Sequence, residues 1–534
     1  MKRSDVVILG GGLAGLTLAL QLRARLPDLD ITVLERTLHP APDATHKIGE
    51  STVEIGAHYL DTQLGLGEHL REFHLKKFGF RFFFSEGESE IDQVTELGAS
   101  DYLHTPGYQI DRGILENHLG ELAIERGISF LTGSTVRGVV LSNDSAHGVT
   151  YEREGTEARI EAAWVVDASG RAGLLRRQLG LQTDNGHHAN AVWFRLGTRI
   201  DIDDWSEDPA WQARCVRRER WLSTNHFVGP GYWAWLIPLS SGAHSVGIVA
   251  DEAMHPLREI NSFARAQEWL AQHQPKLAEV VDVSADKLLD FVALRRFSYG
   301  CQRVFSPQRW ALTGEAGLFL DPFYSPGTDF IAISNTYITE LIVRDRAGEP
   351  LTLHASVFEQ MYFSFYDSTL ELYRNLYPMF GNATVMPVKV IWDYTYYWGI
   401  LAQLFFQKRL TDLSSMSRLK PDLMAVKKLN TLIQDLFRRW AEAGPGENPN
   451  RMLDQAALPW FADLNRSLLD TLDEKAFLER MRGNSRLLRD LAAQVVERMR
   501  SDAHPVDSSG LEAALAAYAG DGLRAGSLLF APAA

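Results

Sequence analysis

Apolar residues fill Val6 to Leu9, stop at three glycines and return at helical spacing in "DVVILGGGLAGLTLALQL". This pattern predicts strand, tight turn, helix. "ITVLER" and "WVVDASGR" read as further apolar strands, the latter ending in Asp-x-x-Gly. "RWALTGEAGLFLDPFYSPGTDF" reads as a strand, a small-residue turn and a helix start. "YWAWLIPLSSGAHSVGIVA" predicts two strands joined by Ser-Ser-Gly-Ala. β-rich stretches fall near 75–105 and 190–300, and from about 330 onward helical spacing dominates. Through 357–406 aromatic residues recur at helical intervals. A helical layer is the favoured reading of that stretch, and a hydrophobic groove for a long or tethered substrate is the sharper one. "AGPGENPN", 443–450, predicts a loop.

Composition narrows the picture. The chain has 534 residues and 45% hydrophobic content, enough for a large core in two or three domains. Its 54 lysines and arginines against 68 acids give a net charge of −14, which disfavours sequence-independent nucleic-acid binding. Cys215 and Cys301, the two cysteines, offer neither metal spacing nor a disulfide framework, so no metal is expected and a cytoplasmic setting is the simplest. The N-terminal "MKRSDVVILGGG" has the basic start and apolar run of a signal peptide. Asp5 interrupts the approach, no clean small-x-small site follows, and no other stretch is apolar enough to span a bilayer.

The glycines have a chemical use. Gly10, Gly12 and Gly15, with Ala14 between them, give G-x-G-x-x-G. The first allows a sharp turn, the second lets a pyrophosphate approach the backbone, and the third lets helix and strand pack closely. "ITVLER" ends in Glu35, 20 residues after Gly15, with Arg36 beside it. An acid there is placed to accept ribose hydroxyls. No second glycine-rich strand–turn–helix stands out for a nicotinamide cofactor, so electrons are expected to arrive from a separate protein.

"WVVDASGR" and "ALTGEAG" resemble the second and third FAD-contact motifs of the flavoprotein monooxygenase superfamily. The resemblance assigns Asp167, Gly314 and Glu315 to the cofactor, Glu315 standing where the pattern usually has Asp. Arg112, in "YQIDRGILENHL", matches an arginine that reaches toward the flavin phosphates. Trp233 to Pro238, "WAWLIP", fits W-x-W-x-I-P, the signature of flavin-dependent halogenases. "KIGESTV" resembles their flavin-side segment and brings in Glu50, and "KKFGFRFFF" resembles the segment of their active lysine. The pattern Lys, any residue, Gly selects Lys77 over Lys76, because Gly79 follows. The resemblance covers roughly residues 1–340, within the tryptophan halogenase-like family in its broad sense.

That resemblance implies an α/β fold: a Rossmann-like FAD-binding domain with an interleaved β-rich substrate domain in 1–340, and a helical C-terminal region in 341–534. It implies that FADH2 from a separate flavin reductase activates oxygen, and that halide becomes hypohalous acid. Trp233 and Trp235 would wall a tunnel, and Lys77 would hold the acid beside an electron-rich carbon. Tyr324 stands where tryptophan halogenases carry a glutamate base, which points to a phenol or pyrrole, free or tethered to an acyl carrier protein. The basic run "KRLTDLSSMSRLKPDLMAVKK" is a candidate face for such an acidic carrier. In the family, halide lies at the amides after the Ser of this turn. Pro326 offers no N–H, which leaves Gly327 and Thr328 for the halide. The same helix start, at Gly327, is suited to negative charge on reduced flavin. Ser325 is the expected N-cap, with Pro326 the first helical residue. The alternatives are a halide-independent flavin monooxygenase or dehydrogenase on this scaffold, and a non-catalytic flavoprotein.

Overall fold

The structure is a computed structural model and describes residues 2–43, 47–143, 146–444, 446, 448–502, 506–516 and 526–531. The chain folds into two compact units, each assembled from three separate stretches. One comprises Met1–Leu75, Ile110–Gly186 and Ser298–Tyr366; the other comprises Lys76–Gln109, His187–Phe297 and Asp367–Ala534.

The first unit is built on a largely parallel sheet. Strand Lys2–Leu9 lies between Thr156–Asp167 and Ile31–Leu34, parallel to both, and Ser129–Leu131 and Trp310–Leu312 extend the parallel set on either side. Its strands are continuous apolar runs because both faces are covered: Val6, Val7, Ile8 and Leu9 are fully buried. Ser134–Val140 and His147–Arg153 form an antiparallel extension on Thr156–Asp167. Helices Leu13–Arg25, Arg112–Glu125 and Gly327–Arg346 complete this unit's main frame.

The second unit holds an eight-stranded sheet, in the order Leu288–Leu294, Ala189–Leu196, His244–Asp251, Tyr232–Pro238, Thr224–Gly229, Phe80–Phe83, Glu96–Gly98, Met452–Asp454. All neighbours are antiparallel except Thr224–Gly229 with Phe80–Phe83 and Met452–Asp454 with Glu96–Gly98. Alternation gives the sheet two chemically different faces. Phe83, Phe227, Tyr232, Ala234, Leu236, Val246 and Ile248 share one apolar cluster with Trp269, Leu270 and Leu277 of the helices Phe263–His273 and Pro275–Val283. Phe82, His226, Trp233 and Trp235 occupy the alternate positions, on the opposite face. Helices dominate the rest of the unit, with Val385–Tyr396 running into a π-helical stretch at Tyr397–Ala402, and long helices at Leu413–Ala443 and Glu474–Ser501. Among the described residues no helix is long and apolar enough to cross a membrane.

One end of the apolar cluster gives way to buried charge. Arg81, Glu96 and Arg220 are fully buried, and Asp203 nearly so. Glu96 pairs with Arg81 and accepts from Arg220 Nε at 2.9 Å; Asp203 accepts from Arg220 Nη1 at 2.8 Å. The indole of Trp211 lies 4.0 Å from the Arg220 guanidinium. Burial pushes the Glu96 carboxyl up, but the charges of Arg81 and Arg220 outweigh it and hold it below the usual carboxylate range. A carboxyl whose folded pKa is depressed contributes stability above its unfolded pKa of about 4.3, and that contribution is lost as pH falls through the folded value. Glu96→Ala leaves two guanidiniums buried without their shared anion and is expected to cost about 3–5 kcal/mol near neutral pH. Urea unfolding of both proteins between pH 7 and 3 checks this. The gap between them should narrow below about pH 4, and a gap that stays constant across the range contradicts the assignment.

Candidate functional site

In the first unit the glycine turn leaves no room for side chains. Gly10 has φ +117°, and a Cβ there would meet the Ala168 carbonyl oxygen at 2.4 Å. At Gly15 a Cβ would lie 2.0 Å from the carbonyl oxygen of Gly10, so the first helix sits against the strand end. Gly12 is the N-cap of that helix, and a Cβ there would find nothing nearer than Glu116 Oε1 at 3.9 Å. Tight glycines on either side of an open one, in front of the first-turn amides of a helix, make a cradle that fits a pyrophosphate. Ala14 abuts Gly314: a Cβ on Gly314, at φ +58°, would lie 3.1 Å from that of Ala14. The first and third motifs therefore meet.

The acids around this cradle differ. Glu35 follows its strand and accepts from the amides of Gly11 and Thr37, both at 2.7 Å, and its half-buried carboxylate keeps further lone pairs. Arg36 is exposed. Asp167 is fully buried, and its carboxylate accepts from Ser169 N at 3.0 Å, Ser169 Oγ at 2.5 Å and Leu175 N at 2.7 Å. Burial lifts its pKa above the ordinary value. Asp167 thus shapes its own turn with the side chain the sequence pattern offers to a cofactor. Glu315 pairs with Arg171 at 3.1 Å, joining the second and third motifs, while its carbonyl accepts from Tyr299 Oη at 2.7 Å. Glu50 is buried and its carbonyl accepts from Ile110 N at 2.6 Å.

Two residues beside the cradle, Lys47 and Glu116, escaped the sequence reading, and both meet Arg112 or its partner. Arg112 donates to the Ile48 carbonyl at 2.6 Å and pairs with Glu116 one turn along its helix; Lys47 pairs with the same carboxylate. Glu116 also accepts from the amide of Leu13, in the first turn of the first helix, at 3.3 Å. Burial acts to raise Glu116, but Arg112 and Lys47 more than compensate and hold it below the usual range. The i,i+4 spacing of Arg112 and Glu116 was the available signal.

The turn before the long helix Gly327–Arg346 departs from expectation. Pro326 occupies the N-cap, and the helix starts at Gly327. Ser325 is not the cap: its φ is +52°, and Tyr324 before it has φ +65°. Two consecutive non-glycine residues in the left-handed region hold this turn in a costly conformation, and a positive φ is not an N-cap conformation. The first helical bond runs from Phe330 N to the Pro326 carbonyl at 3.1 Å, so the amides of Gly327 and Thr328 have no partner within the helix. Gly327 is exposed and Thr328 buried. The helix Glu54–His58, which follows "KIGESTV", is next to them: Gly56 N donates to Asp329 Oδ1 at 2.8 Å, and a Cβ on Gly56 would strike Thr328. Tyr324 is half-exposed, its ring 4.5 Å from that of Phe323.

The second unit separates the two lysines. Lys76 is exposed, with its ammonium 4.4 Å from the centre of the Tyr102 ring. Lys77 is 6% exposed, with its ammonium 3.4 Å from the centre of the Phe80 ring, a desolvated cation–π contact. Phe80 continues into an aromatic wall through Tyr394 at 6.0 Å, then Trp398 at 4.7 Å from Tyr394 and Phe461 at 4.6 Å from Trp398. Trp233 and Trp235 are nearly fully buried, with ring centres 5.5 Å apart. Both indole N–H groups are spent internally, Trp233 on Tyr377 Oη and Trp235 on Ser245 Oγ, each at 3.0 Å. The pair thus acts as wall, not as donor. Gly247 makes room for it, since a Cβ there would lie 2.2 Å from the Trp235 ring. Tyr377 lies in the aromatic-rich stretch and also accepts Gly231 N on its carbonyl at 2.9 Å. Among the described residues no group of three His, Cys, Asp or Glu side chains suits a metal ion.

Comparison with known proteins gives a consistent answer. The FAD binding domain family matches residues 3–279. Flavin-dependent halogenase chlA of Dictyostelium discoideum is 26% identical over 439 residues, 76% of this chain and 71% of that protein. A 1H-pyrrole-2-carbonyl peptidyl-carrier-protein brominase of Pseudoalteromonas luteoviolacea is 25% identical over 339 residues, 62% of this chain and 74% of that protein. The crystal structure of halogenase PltM in complex with phloroglucinol and FAD shares the fold, with a TM-score of 0.63 at 16% identity over 95% of this chain and 98% of that one.

The hydrogen bond to Trp233 yields a prediction. Tyr377→Phe removes the acceptor of a buried indole N–H and should cost about 1–3 kcal/mol. Chemical denaturation of the two proteins reads it directly, and a loss below a few tenths of a kcal/mol would mean the indole is not held by that hydroxyl.

Proposed function

The chain belongs to the FAD binding domain family and, within it, to the flavin-dependent halogenases, oxidoreductases that use FAD; on that premise we propose that it halogenates an electron-rich phenol or pyrrole, free or carrier-tethered, through hypohalous acid held by Lys77. The observation that carries the reading is the enclosure of Lys77 over the Phe80 ring while its neighbour Lys76 is exposed. When bound, reduced FAD would activate molecular oxygen, the oxidant that converts halide into hypohalous acid, and a separate reductase would supply the reduced flavin. Gly10, Gly12 and Gly15 with Glu35, Arg112 and the turn at Gly314 are the residues that would hold it.

An ammonium shielded from bulk water donates hydrogen bonds that bulk solvent does not compete away, so Lys77 can keep a small electrophile in one orientation beside its target carbon. Trp233 and Trp235, locked through Tyr377 and Ser245, exclude a larger molecule from the volume they fill. A phenol ionises by itself and needs no carboxylate base, which agrees with Tyr324 at the position of the tryptophan halogenases' glutamate. The relatives point the same way, one named for a carrier-bound pyrrole and one crystallised with phloroglucinol. Pro326 favours a second reading, a halide-independent monooxygenase or dehydrogenase, because it leaves one amide fewer at the helix start.

Two experiments separate these readings. With chemically reduced FAD, oxygen, bromide and phloroglucinol, Lys77→Ala is expected to abolish brominated product while flavin oxidation continues, and Lys76→Ala to retain most product. Equal losses from both variants, read by mass spectrometry, would assign the lysines a structural part. Pro326→Thr restores one amide to the helix start. A hydrogen bond to an ion contributes about 1.5–3 kcal/mol, so the halide concentration for half-maximal product should fall roughly ten- to a hundredfold. Full turnover of the wild type without halide, to a product that gains oxygen or loses hydrogen, would establish the second reading.

A further inference from the structure

The phosphate cradle holds one of the protein's own anions. Glu116 is 1% exposed, and its carboxylate is shared by donors from three stretches of chain. It accepts from Leu13 N, in the first turn of the first helix, at 3.3 Å; it pairs with Arg112, one turn before it on its own helix; and it pairs with Lys47. The ladder of the first helix opens with Leu16 N on the Gly12 carbonyl at 3.0 Å. Glu116 thus caps one of the amides ahead of that bond, and those of Ala14 and Gly15 have no partner within the helix. Both carboxylate oxygens face the open glycine: a Cβ on Gly12 would lie 3.9 and 4.0 Å from them. Arg112 is held at a second point by the Ile48 carbonyl at 2.6 Å, and its Nε has no acceptor. Burial acts against ionisation of Glu116, but the charges of Arg112 and Lys47 outweigh it, so the carboxylate is charged at neutral pH.

We propose that Glu116 is a positioning residue for the diphosphate of FAD: by bonding Leu13 N, Arg112 and Lys47 at once, it fixes the helix start and the two cations relative to one another. The proposal rests on the FAD part of the reading above and is independent of halide use. Phosphate recognition at a helix start depends on the placement of amides and cations, because each bond is directional and arginine presents its donors as a rigid fork. Two acceptors in fixed places, the Glu116 carboxylate and the Ile48 carbonyl, set the plane of that fork. A purely coulombic account gives the opposite sign: a carboxylate beside a diphosphate repels it, and its removal tightens binding. One carboxylate against two cations leaves the point positive, however, so attraction for a diphosphate survives beside Glu116. Without that carboxylate, Arg112 and Lys47 repel each other and lose their common anchor.

Binding is measured on the full chain with three probes, FAD, ADP and riboflavin. ADP carries the adenosine and both phosphates, and riboflavin carries the flavin ring and neither phosphate. Glu116→Gln keeps the length and one acceptor oxygen and removes the charge. Its Kd for FAD and for ADP should rise about ten- to a hundredfold, as for a lost hydrogen bond to an ion, while that for riboflavin should change less than about twofold. Glu116→Asp keeps the charge but draws it back from the three donors, and should show a smaller loss with the same two probes. In an Arg112→Met background, Glu116→Gln should add little, because a residue that acts through Arg112 has nothing left to orient. Tighter FAD binding by Glu116→Gln overturns the proposal in favour of simple repulsion. Unchanged FAD binding in either variant, equal losses with all three probes, or fully additive losses in the double variant overturn it as well. A wild type that binds neither FAD nor ADP rejects the FAD reading itself, and the proposal with it.

Discussion

A parallel pairing of two short strands, Phe80–Phe83 on Thr224–Gly229, is the contact on which the second unit's site depends. The strands lie about 140 residues apart in sequence, so no turn sets their register. It is set by side-chain parity. A slip of one residue would turn Phe83 and Phe227 out of the apolar cluster and push His226 and Phe82 into it. With the observed register, Phe82, His226 and Trp235 form a row across three strands, and Lys77 enters the same neighbourhood just ahead of the strand.

Two nearby cations are received in different ways. Arg81 faces the core side, where Glu96 and the Ala99 carbonyl receive it. Lys77 lies against the aromatic face of Phe80. A buried guanidinium paired with a carboxylate is inert and fixes the fold, since breaking the pair is costly. An aromatic face attracts an ammonium through its ring quadrupole, without a paired carboxylate's hydrogen bonds. One short segment thus holds its two buried cations by different means.

In the first unit the governing constraint is steric. The carbonyl of Gly10 occupies the place of any side chain at position 15, which brings the helical amides close to the strand end. Glu116 already accepts one of those amides and gathers Arg112 and Lys47 around the same point. A second helix start, at Gly327, is prepared differently. A turn with left-handed Tyr324 and Ser325 and a capping proline leads into it, so the backbone strain is localised immediately before two amides without an intrahelical partner.

The sequence alone determined what depends on local sterics and on period. The glycine spacing required a strand–turn–helix with a backbone open to a pyrophosphate, and alternation in "YWAWLIP" required both tryptophans on one face, because successive strand residues must point to opposite sides. The spacing to Gly79 also singled out Lys77, which proves to be the enclosed lysine. Tertiary structure decided what depends on residues far apart. It brought Glu116 to the first helix, whereas the turn that Asp167 closes and the helix start after Pro326 are local features that the motif pattern did not show. It also placed His226 and Tyr377 against residues of the tryptophan motif and the lysine segment, contacts that span about 145 positions or run between strands whose pairing no local pattern specifies. Long-range register is fixed by which face can be buried, and that is a property of the assembled sheet.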